Sequence, residues 1–281
     1  MKIKYLGTAA SEGIPAIFCK CDNCKRARAL GGKNLRSRSQ ALIDDKILID
    51  FACDTYMHVL KENIDLADIN TLLITHAHGD HCVLVDLGNR RRDFAHIEGC
   101  KPLNIYASED IFPAYATAYG NIAITMDKDD PNTINFNRIK AYEPFEADGY
   151  KITALRAYHG TDHPFIYIIE KDGKTLLYAH DTDVFFDDVF EYIAKNKIVF
   201  DFVSLDCTAG TTNIRYHGHM NLPRNIETRQ KLIDCGAANE KTVFCLNHFS
   251  HNGGTACYDD MKPIAEENGF IVSYDGMEAS F

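Results

Sequence analysis

Residues 75–81 read THAHGDH and place four metal-binding side chains within six positions, directly after the apolar run at residues 71–74. In extended backbone His76 and His78 point the same way, so they can share one ion. The last two metal-binding side chains of the tract, Asp80 and His81, follow where the chain turns, so they can serve a second ion. A solvated polar loop explains the tract poorly, because clustered histidines repel one another when protonated. The tract therefore predicts a metal centre at a strand end and requires a fold that brings further ligands there.

Three further candidate ligands each follow a different apolar run: His159 after residues 151–157, Asp181 after 175–179 and His248 after 242–246. Sites in open α/β sheets gather outside the carboxyl ends of strands, so we expect these side chains to meet the histidine tract. His163 competes with His159, and Asp183 competes with Asp181. We prefer the earlier member of each pair because it lies closer to the preceding strand. The remaining candidates, His58, His96, His180 and His217, are interpreted as packing or surface residues.

Short apolar runs rather than strict alternations indicate strands covered on both faces, which predicts an α/β fold with helices outside the sheets. The strands are predicted at residues 2–6, 46–51, 71–75, 103–106, 151–157, 165–170, 175–179, 202–205 and 242–246, and the helices at 55–63, 187–196, 222–235 and 258–268. Residues 44–55 and 171–183 both read as a turn, an apolar strand and then an Asp, which favours two related half-sheets. No linker interrupts the chain, so one domain over residues 1–281 is the simplest interpretation.

The chain has 281 residues and 30 Lys and Arg against 40 Asp and Glu, which gives a net charge of −10. This balance argues against binding of extended nucleic acid, which requires many basic contacts to phosphates, but allows a small anionic substrate held by metal. No apolar run is long enough for a membrane span or a secretory signal. We therefore expect a cytoplasmic protein with no membrane partner; homo-oligomerisation is left open.

Cys19, Cys21 and Cys24 form a C-x-C-x2-C tract in what is predicted to be a polar loop. Three close thiols in a cytoplasmic chain are typical of tetrahedral zinc sites, here lacking a fourth ligand. The tract predicts a structural zinc separate from the histidine centre.

The order THAHGDH, His159, Asp181 and His248 resembles the metallo-β-lactamase superfamily, which implies a four-layer αββα sandwich and a centre of two divalent metal ions. The resemblance assigns the ligands as follows: His76, His78 and His159 to one ion, Asp80, His81 and His248 to the other, and Asp181 to both. Asp50 matches the acidic residue that orients the histidine tract without binding metal. Zn, Mn or Fe suits such a ligand set.

Residues 7–28, 248–251 and 274–278 further resemble the PhnP-type cyclic phosphodiesterases of the carbon–phosphorus lyase pathway. That resemblance implies that His251 completes the cysteine site with one structural zinc. It also implies cleavage of a cyclic or small phosphodiester by a metal-activated hydroxide, with His219 as the general acid; His217 is the alternative. We predict that Asp80, like His219, is a catalytic residue. Loops 110–137 and 207–219 are expected to determine specificity.

Other activities stay open at this point. A tRNA-processing endonuclease or a thioester or lactone hydrolase of the same superfamily would use the same ligands. A scaffold stabilised by metal, or a redox sensor acting through its cysteines, would need no catalysis.

Overall fold

A computed structural model describes residues 1–123, 130–214 and 216–281. Within those residues it contains fourteen strands and six α-helices. The strands are β1 (Lys2–Gly7), β2 (Gln40–Ile43), β3 (Ile47–Ile49), β4 (Thr71–Leu73), β5 (Leu103–Ala107), β6 (Ile134–Arg138), β7 (Phe145–Ala147), β8 (Tyr150–Arg156), β9 (Phe165–Lys171), β10 (Lys174–Ala179), β11 (Phe202–Asp206), β12 (Val243–Asn247), β13 (Ile271–Val272) and β14 (Glu278–Ser280). The helices are α1 (Asp22–Leu30), α2 (Thr55–Glu62), α3 (Phe112–Ala123), α4 (Asp187–Lys195), α5 (Leu222–Asp234) and α6 (Tyr258–Glu267).

The strands form two mixed sheets of seven strands each. The first has the order β14-β1-β2-β3-β4-β5-β6 and the second β13-β12-β11-β10-β9-β8-β7. In the first sheet β3, β4, β5 and β6 run parallel, and in the second β10, β11, β12 and β13 do. Each sheet therefore has a block of parallel strands whose carboxyl ends meet at one edge.

The two sheets pack face to face, and helices cover both outer faces. On β9, Phe165, Tyr167 and Ile169 pack in the core between the sheets, whereas Ile166 and Ile168 pack in the outer core with α4, α5 and α6. A third core lies on the outer face of the first sheet and includes Tyr115 of α3. Because strands of both sheets are buried on both sides, their sequences read as continuous apolar runs. The predicted αββα sandwich is confirmed.

Asp50 and Asp181, from the two similar sequence segments, occupy related places. They follow β3 and β10, which are the fourth strands of their respective sheets. Both residues have left-handed backbone, with φ of 66° and 50°. This correspondence supports the interpretation of two related half-sheets.

The sequence prediction was wrong about one segment and left others out. The cysteine tract is not wholly a loop, because Cys21 is the N-cap of α1 and Cys24 lies in its first turn. Strands β2, β6, β7, β13 and β14 and helix α3 were not predicted. Of the loops expected to determine specificity, residues 124–129 and 215 lie outside the described residues. Where the chain is described, no helix has both the length and the hydropathy needed to cross a membrane.

Candidate metal centre

The ends of β4 and β8 bring three imidazoles together. His76 Nε2 and His159 Nε2 each lie 3.0 Å from His78 Nδ1. His76 and His159 are 83 positions apart in the chain, yet the nitrogens of all three histidines point to one place. The three nitrogens form a group that could hold one divalent cation.

A second group adjoins the first and contains Asp80, His81 and His248. His81 Nε2 lies 3.2 Å from Asp80 Oδ2. Asp181 connects the groups: its Oδ2 lies 3.1 Å from His81 Nε2 and 2.8 Å from His248 Nε2, and its Oδ1 lies 3.6 Å from His159 Nε2. The carboxylate is therefore placed to contact an ion in either group.

The chemistry of these atoms fits divalent cations. Asp181 Oδ2, His81 Nε2 and His248 Nε2 are buried, and none forms a hydrogen bond of acceptable geometry with the described part of the chain. Buried polar atoms are rarely left without partners, so three such atoms in contact indicate that an ion completes them. Burial, together with neighbouring histidines, lowers the pKa of His76 and, despite the opposing Asp181 charge, also that of His159. Both imidazoles are therefore held in the neutral form that binds metal.

Asp50 holds the histidine tract in position. Its buried carboxylate accepts hydrogen bonds from the Thr75 backbone N–H at 2.8 Å and from His81 Nδ1 at 2.7 Å. With Nδ1 donating to Asp50, His81 presents Nε2 to the centre. The predicted orienting contact is present.

Three residues of the centre have left-handed backbone: Asp50, Asp181 and His248, with φ of 66°, 50° and 61°. Non-glycine residues adopt this conformation at an energetic cost, and such strain concentrates at functional sites. Each residue directly or nearly directly follows a parallel strand.

Asp206, the last residue of β11, was missed by the sequence analysis. Its Oδ2 accepts from His219 Nδ1 at 3.0 Å and from the Asp181 backbone N–H at 3.1 Å, and its Oδ1 accepts from the Met220 N–H at 2.9 Å. Thr208 also donates to it and contacts His248 Nδ1 at 2.8 Å. The available signal was its place as the last residue of a parallel strand, whereas Asp50 and Asp181 lie just beyond theirs.

The structure brings His219 to the centre and leaves His217 outside it. The rings of His219 and His159 are 4.9 Å apart, whereas the exposed His217 contacts Tyr158. Burial would lower the pKa of His219, but the Asp206 carboxylate outweighs it and the pKa is raised. His219 is therefore the histidine placed to carry a proton.

The other candidates lie apart from the two ligand groups. His163 is exposed, and Asp183 pairs with Arg224. His180 is buried and contacts Ser204 Oγ at 2.7 Å, and His58 is buried between Ser37 and Gln40. His96 is exposed on the surface.

The cysteine tract forms a second cluster with His251. The Sγ atoms of Cys19, Cys21 and Cys24 and a ring nitrogen of His251 all lie within 4.8 Å of one another. The Cys21 backbone N–H donates to Cys19 Sγ and lowers the pKa of that thiol, which favours the thiolate that binds metal. Glu12 Oε1 lies 3.5 Å from His251 Nε2. The four atoms fit a tetrahedral zinc site.

The sequence matches the family model described as a β-lactamase superfamily domain over residues 45–249. Among curated proteins it is similar to a UPF0173 metal-dependent hydrolase of Pyrococcus abyssi, 31% identical over 50% of this chain and 56% of that protein. It is also similar to ribonuclease Z of Listeria innocua, 27% identical over 64% of this chain and 52% of that protein. The chain thus spans about half the length of the curated relatives it matches.

Solved structures agree over the whole chain. A diphosphatase from the PhnP family has a TM-score of 0.74 at 22% identity and covers 100% of this chain and 97% of its own. Zn²⁺-bound PqqB from Methylobacterium extorquens has a TM-score of 0.77 at 17% identity, with both chains covered completely. The short form of human tRNase Z has a TM-score of 0.64 at 16% identity and covers 100% and 99%. At these identities the likeness is one of fold.

Proposed function

The chain belongs to the β-lactamase superfamily, and from this premise we propose that it is a metal-dependent hydrolase that cleaves cyclic or small phosphodiesters. One observation carries the proposal: a group of three imidazoles and a group of two imidazoles and a carboxylate both adjoin Asp181, beside a histidine held by the Asp206 carboxylate. A catalyst for phosphodiesters needs both an electrophilic centre and a proton source, and the site provides places for both.

We propose the ligand assignment that the family resemblance implies. His76, His78 and His159 would hold one ion, and Asp80, His81 and His248 the other. Asp181, whose carboxylate lies beside His81, His159 and His248, would hold both. When bound, two divalent ions supply Lewis acidity toward the phosphoryl oxygens and lower the pKa of water so that it attacks as a nucleophile. The nitrogen and oxygen ligands suit Zn, Mn or Fe.

His219 supplies the proton for the leaving alkoxide. Its Nδ1 donates to Asp206, so Nε2 is the nitrogen that gives up a proton to substrate. The Asp206 carboxylate raises the pKa of His219, which favours the protonated ring that a general acid requires. Asp206 fixes the ring orientation and stabilises its positive charge.

The cysteine cluster would hold one structural zinc. Residues 248–251 connect it directly to the catalytic centre, because His248 belongs to one site and His251 to the other. All ten cysteines lie in described segments, and none forms a disulfide there. Free thiols suit the reducing cytoplasm, which we propose as the location of the protein.

Four substrates assayed in parallel test the proposal: bis(p-nitrophenyl) phosphate, a 2′,3′-cyclic nucleotide, a thioester and a precursor tRNA, each with added Mn²⁺ or Zn²⁺. We expect turnover of the first two. Cleavage of precursor tRNA alone would replace the proposal with the endonuclease alternative, which similarity to ribonuclease Z favours and the net charge of −10 disfavours. Loss of turnover in Asp80→Ala with an unchanged fold would exclude a purely structural scaffold.

A further inference from the structure

A network of buried polar side chains lies behind the metal centre, in the core between the sheets. His180 Nε2 lies 2.7 Å from Ser204 Oγ, and Ser204 Oγ lies 2.7 Å from the Tyr5 hydroxyl. On the other side of the ring, His180 Nδ1 lies 3.1 Å from Asn247 Nδ2. All four residues are buried, and none belongs to either ligand group. The network therefore needs a role other than metal binding.

Donors and acceptors alternate along this network. Ser273 Oγ donates to Asn247 Oδ1 at 2.5 Å, so the amide nitrogen of Asn247 faces His180. His180 Nδ1 accepts from that nitrogen, and Nε2 is then the nitrogen that donates to Ser204. A buried polar network whose members are all paired fixes one arrangement of the core, because other arrangements leave a buried group without a partner.

The network holds the chain at two positions that each precede a candidate metal ligand. His180 is followed by Asp181, and Asn247 is followed by His248. Asp181 Oδ2 and His248 Nε2 lie 2.8 Å apart, so the two segments meet twice, once through the network and once through the ligands. Because β11 separates β10 from β12 in the sheet, side chains rather than a strand ladder connect the two segments.

The backbone of both ligands needs such support. Asp181 and His248 have left-handed φ values of 50° and 61°. Non-glycine residues keep this conformation only where the surrounding structure holds it. The contact between His180 and Asn247 lies one residue from each ligand, so a relaxation of the backbone at either ligand would pull the contact apart.

We propose that His180 and Asn247 are positioning residues that set the separation of Asp181 and His248 for the second ion. The inference rests on the ligand assignment of the proposed function. It adds two residues that act on the centre through their chain neighbours and touch neither metal nor substrate.

Mn²⁺ binding to the full chain tests the inference, with Zn²⁺ kept in the cysteine cluster because thiolates favour zinc over manganese. His180→Phe keeps a ring and removes both hydrogen bonds, and Asn247→Leu keeps a similar shape and removes the amide. We expect each variant to bind Mn²⁺ about 10-fold more weakly, measured from the electron paramagnetic resonance signal of free Mn²⁺. The double variant should lose about as much as either single variant, since the residues act as a pair.

Tyr150→Phe is the matched control. It removes a buried hydroxyl that donates to Asp44 from the same core between the sheets, and it should bind Mn²⁺ as wild type does. The spectrum of bound Mn²⁺ separates positioning from a general loss of stability, because two neighbouring ions couple and a single ion does not. We expect a coupled signal in wild type and Tyr150→Phe, and a weaker one in His180→Phe and Asn247→Leu. A lower melting temperature with wild-type affinity and spectrum would show a merely structural pair and overturn the inference.

Ser204→Ala decides the question if the larger substitutions prevent folding. It removes one hydroxyl of the network and leaves His180 and Asn247 in place, so we expect Mn²⁺ affinity to fall about 3-fold. Wild-type affinity in every folded variant overturns this inference alone and leaves the ligand assignment standing. Wild type that binds no Mn²⁺ or Zn²⁺ outside the cysteine cluster removes the ligand assignment and this inference with it.

Discussion

Asp206 determines how His219 is presented, because its Oδ2 accepts the Nδ1 proton of that ring at 3.0 Å. In Asp206→Asn an amide N–H can face Nδ1, which favours the wrong tautomer. We predict that kcat for a 2′,3′-cyclic nucleotide falls about 10- to 100-fold. The fall is smaller for bis(p-nitrophenyl) phosphate, because p-nitrophenolate leaves without needing a proton.

Steady-state rates on both substrates check this prediction. His219→Gln should show the same pattern, and the double variant should lose little more than either single variant, since both act through one proton donor. An equal loss on the two substrates would show that Asp206 acts on the ligand groups rather than on His219.

The sequence identified most residues of the candidate metal centre and missed Asp206 for a physical reason. Asp50 and Asp181 each follow a strand within a recognisable motif, whereas Asp206 ends a strand with its partner thirteen positions away. A loop of unknown shape separates Asp206 from His219 in the sequence. Only the folded chain shows that the two meet.

His58 gives the stability of the fold a pH dependence. Burial lowers its pKa to about 4, against about 6.5 for an unfolded histidine. Because the depressed pKa belongs to a basic group, the unfolded state takes up the proton first as the pH falls below 6.5. The contribution of neutral His58 to the stability of the fold is therefore present above pH 6.5 and is lost as the pH falls from 6.5 to 4.

The expected loss from His58 is about 2 kcal/mol between pH 7 and pH 5. Urea unfolding of wild type and His58→Gln at both pH values measures it, because the metal sites contribute equally to the two proteins. The free energy of unfolding of wild type, relative to that of His58→Gln, should be lower at pH 5 than at pH 7. A gap that does not change with pH would show that His58 titrates normally.

At the scale of elements, the loop after β11 is packed against the metal centre through Gly218. Its φ is 79°, and an added Cβ would lie 2.9 Å from His159 Nδ1. Gly218→Ala must therefore displace His159, and we predict a 10- to 100-fold weaker metal affinity, on the order seen when ligand-supporting contacts are lost. Titration against a competing chelator measures this affinity.

Gly236 provides the matched control for that loop. Its φ is 78°, yet a Cβ there meets nothing within 4 Å. Gly236→Ala introduces the same backbone strain, which costs about 1 kcal/mol, without touching the centre. Equal metal affinities in the two alanine variants would contradict the predicted displacement of His159.

Helix α1 depends on the cysteine cluster, since Cys21 is its N-cap and also a candidate zinc ligand. We predict that Cys21→Ser loses the structural zinc and lowers both the melting temperature and the activity, because bound zinc contributes about 10 to 16 kcal/mol in small zinc-finger peptides. Cys100→Ser, outside the cluster, is the control. Full zinc content and an unchanged melting temperature in Cys21→Ser would remove the assignment.

The elements that the sequence predicted are those with a buried apolar run, such as β9 and β10. Helix α1 escaped prediction because its sequence, DNCKRARAL, is mostly polar and its cysteines suggested a loop. Edge strands β13 and β14 have only two and three residues. Pairing with a neighbour creates such strands, so local sequence carries little signal for them.

At the scale of the whole molecule, the two sheets place the carboxyl ends of two parallel blocks at one edge. The first block carries Asp50 and the histidine tract, and the second carries Asp181, Asp206 and His248. Neither sheet alone holds a complete ligand group for the second ion. The sandwich is therefore what assembles the centre, which explains why ligands scattered from residue 76 to residue 248 were predictable only as a set.

Metal content per chain tests the central claim most directly. Mass spectrometric elemental analysis of protein loaded with Zn²⁺ or Mn²⁺ and freed of excess metal should give three ions per chain. Cys21→Ser should retain two ions, and Asp181→Ala should lose ions from the catalytic centre while keeping the structural zinc. Wild-type protein that binds no metal beyond the cysteine site, yet turns over phosphodiesters, would contradict the account.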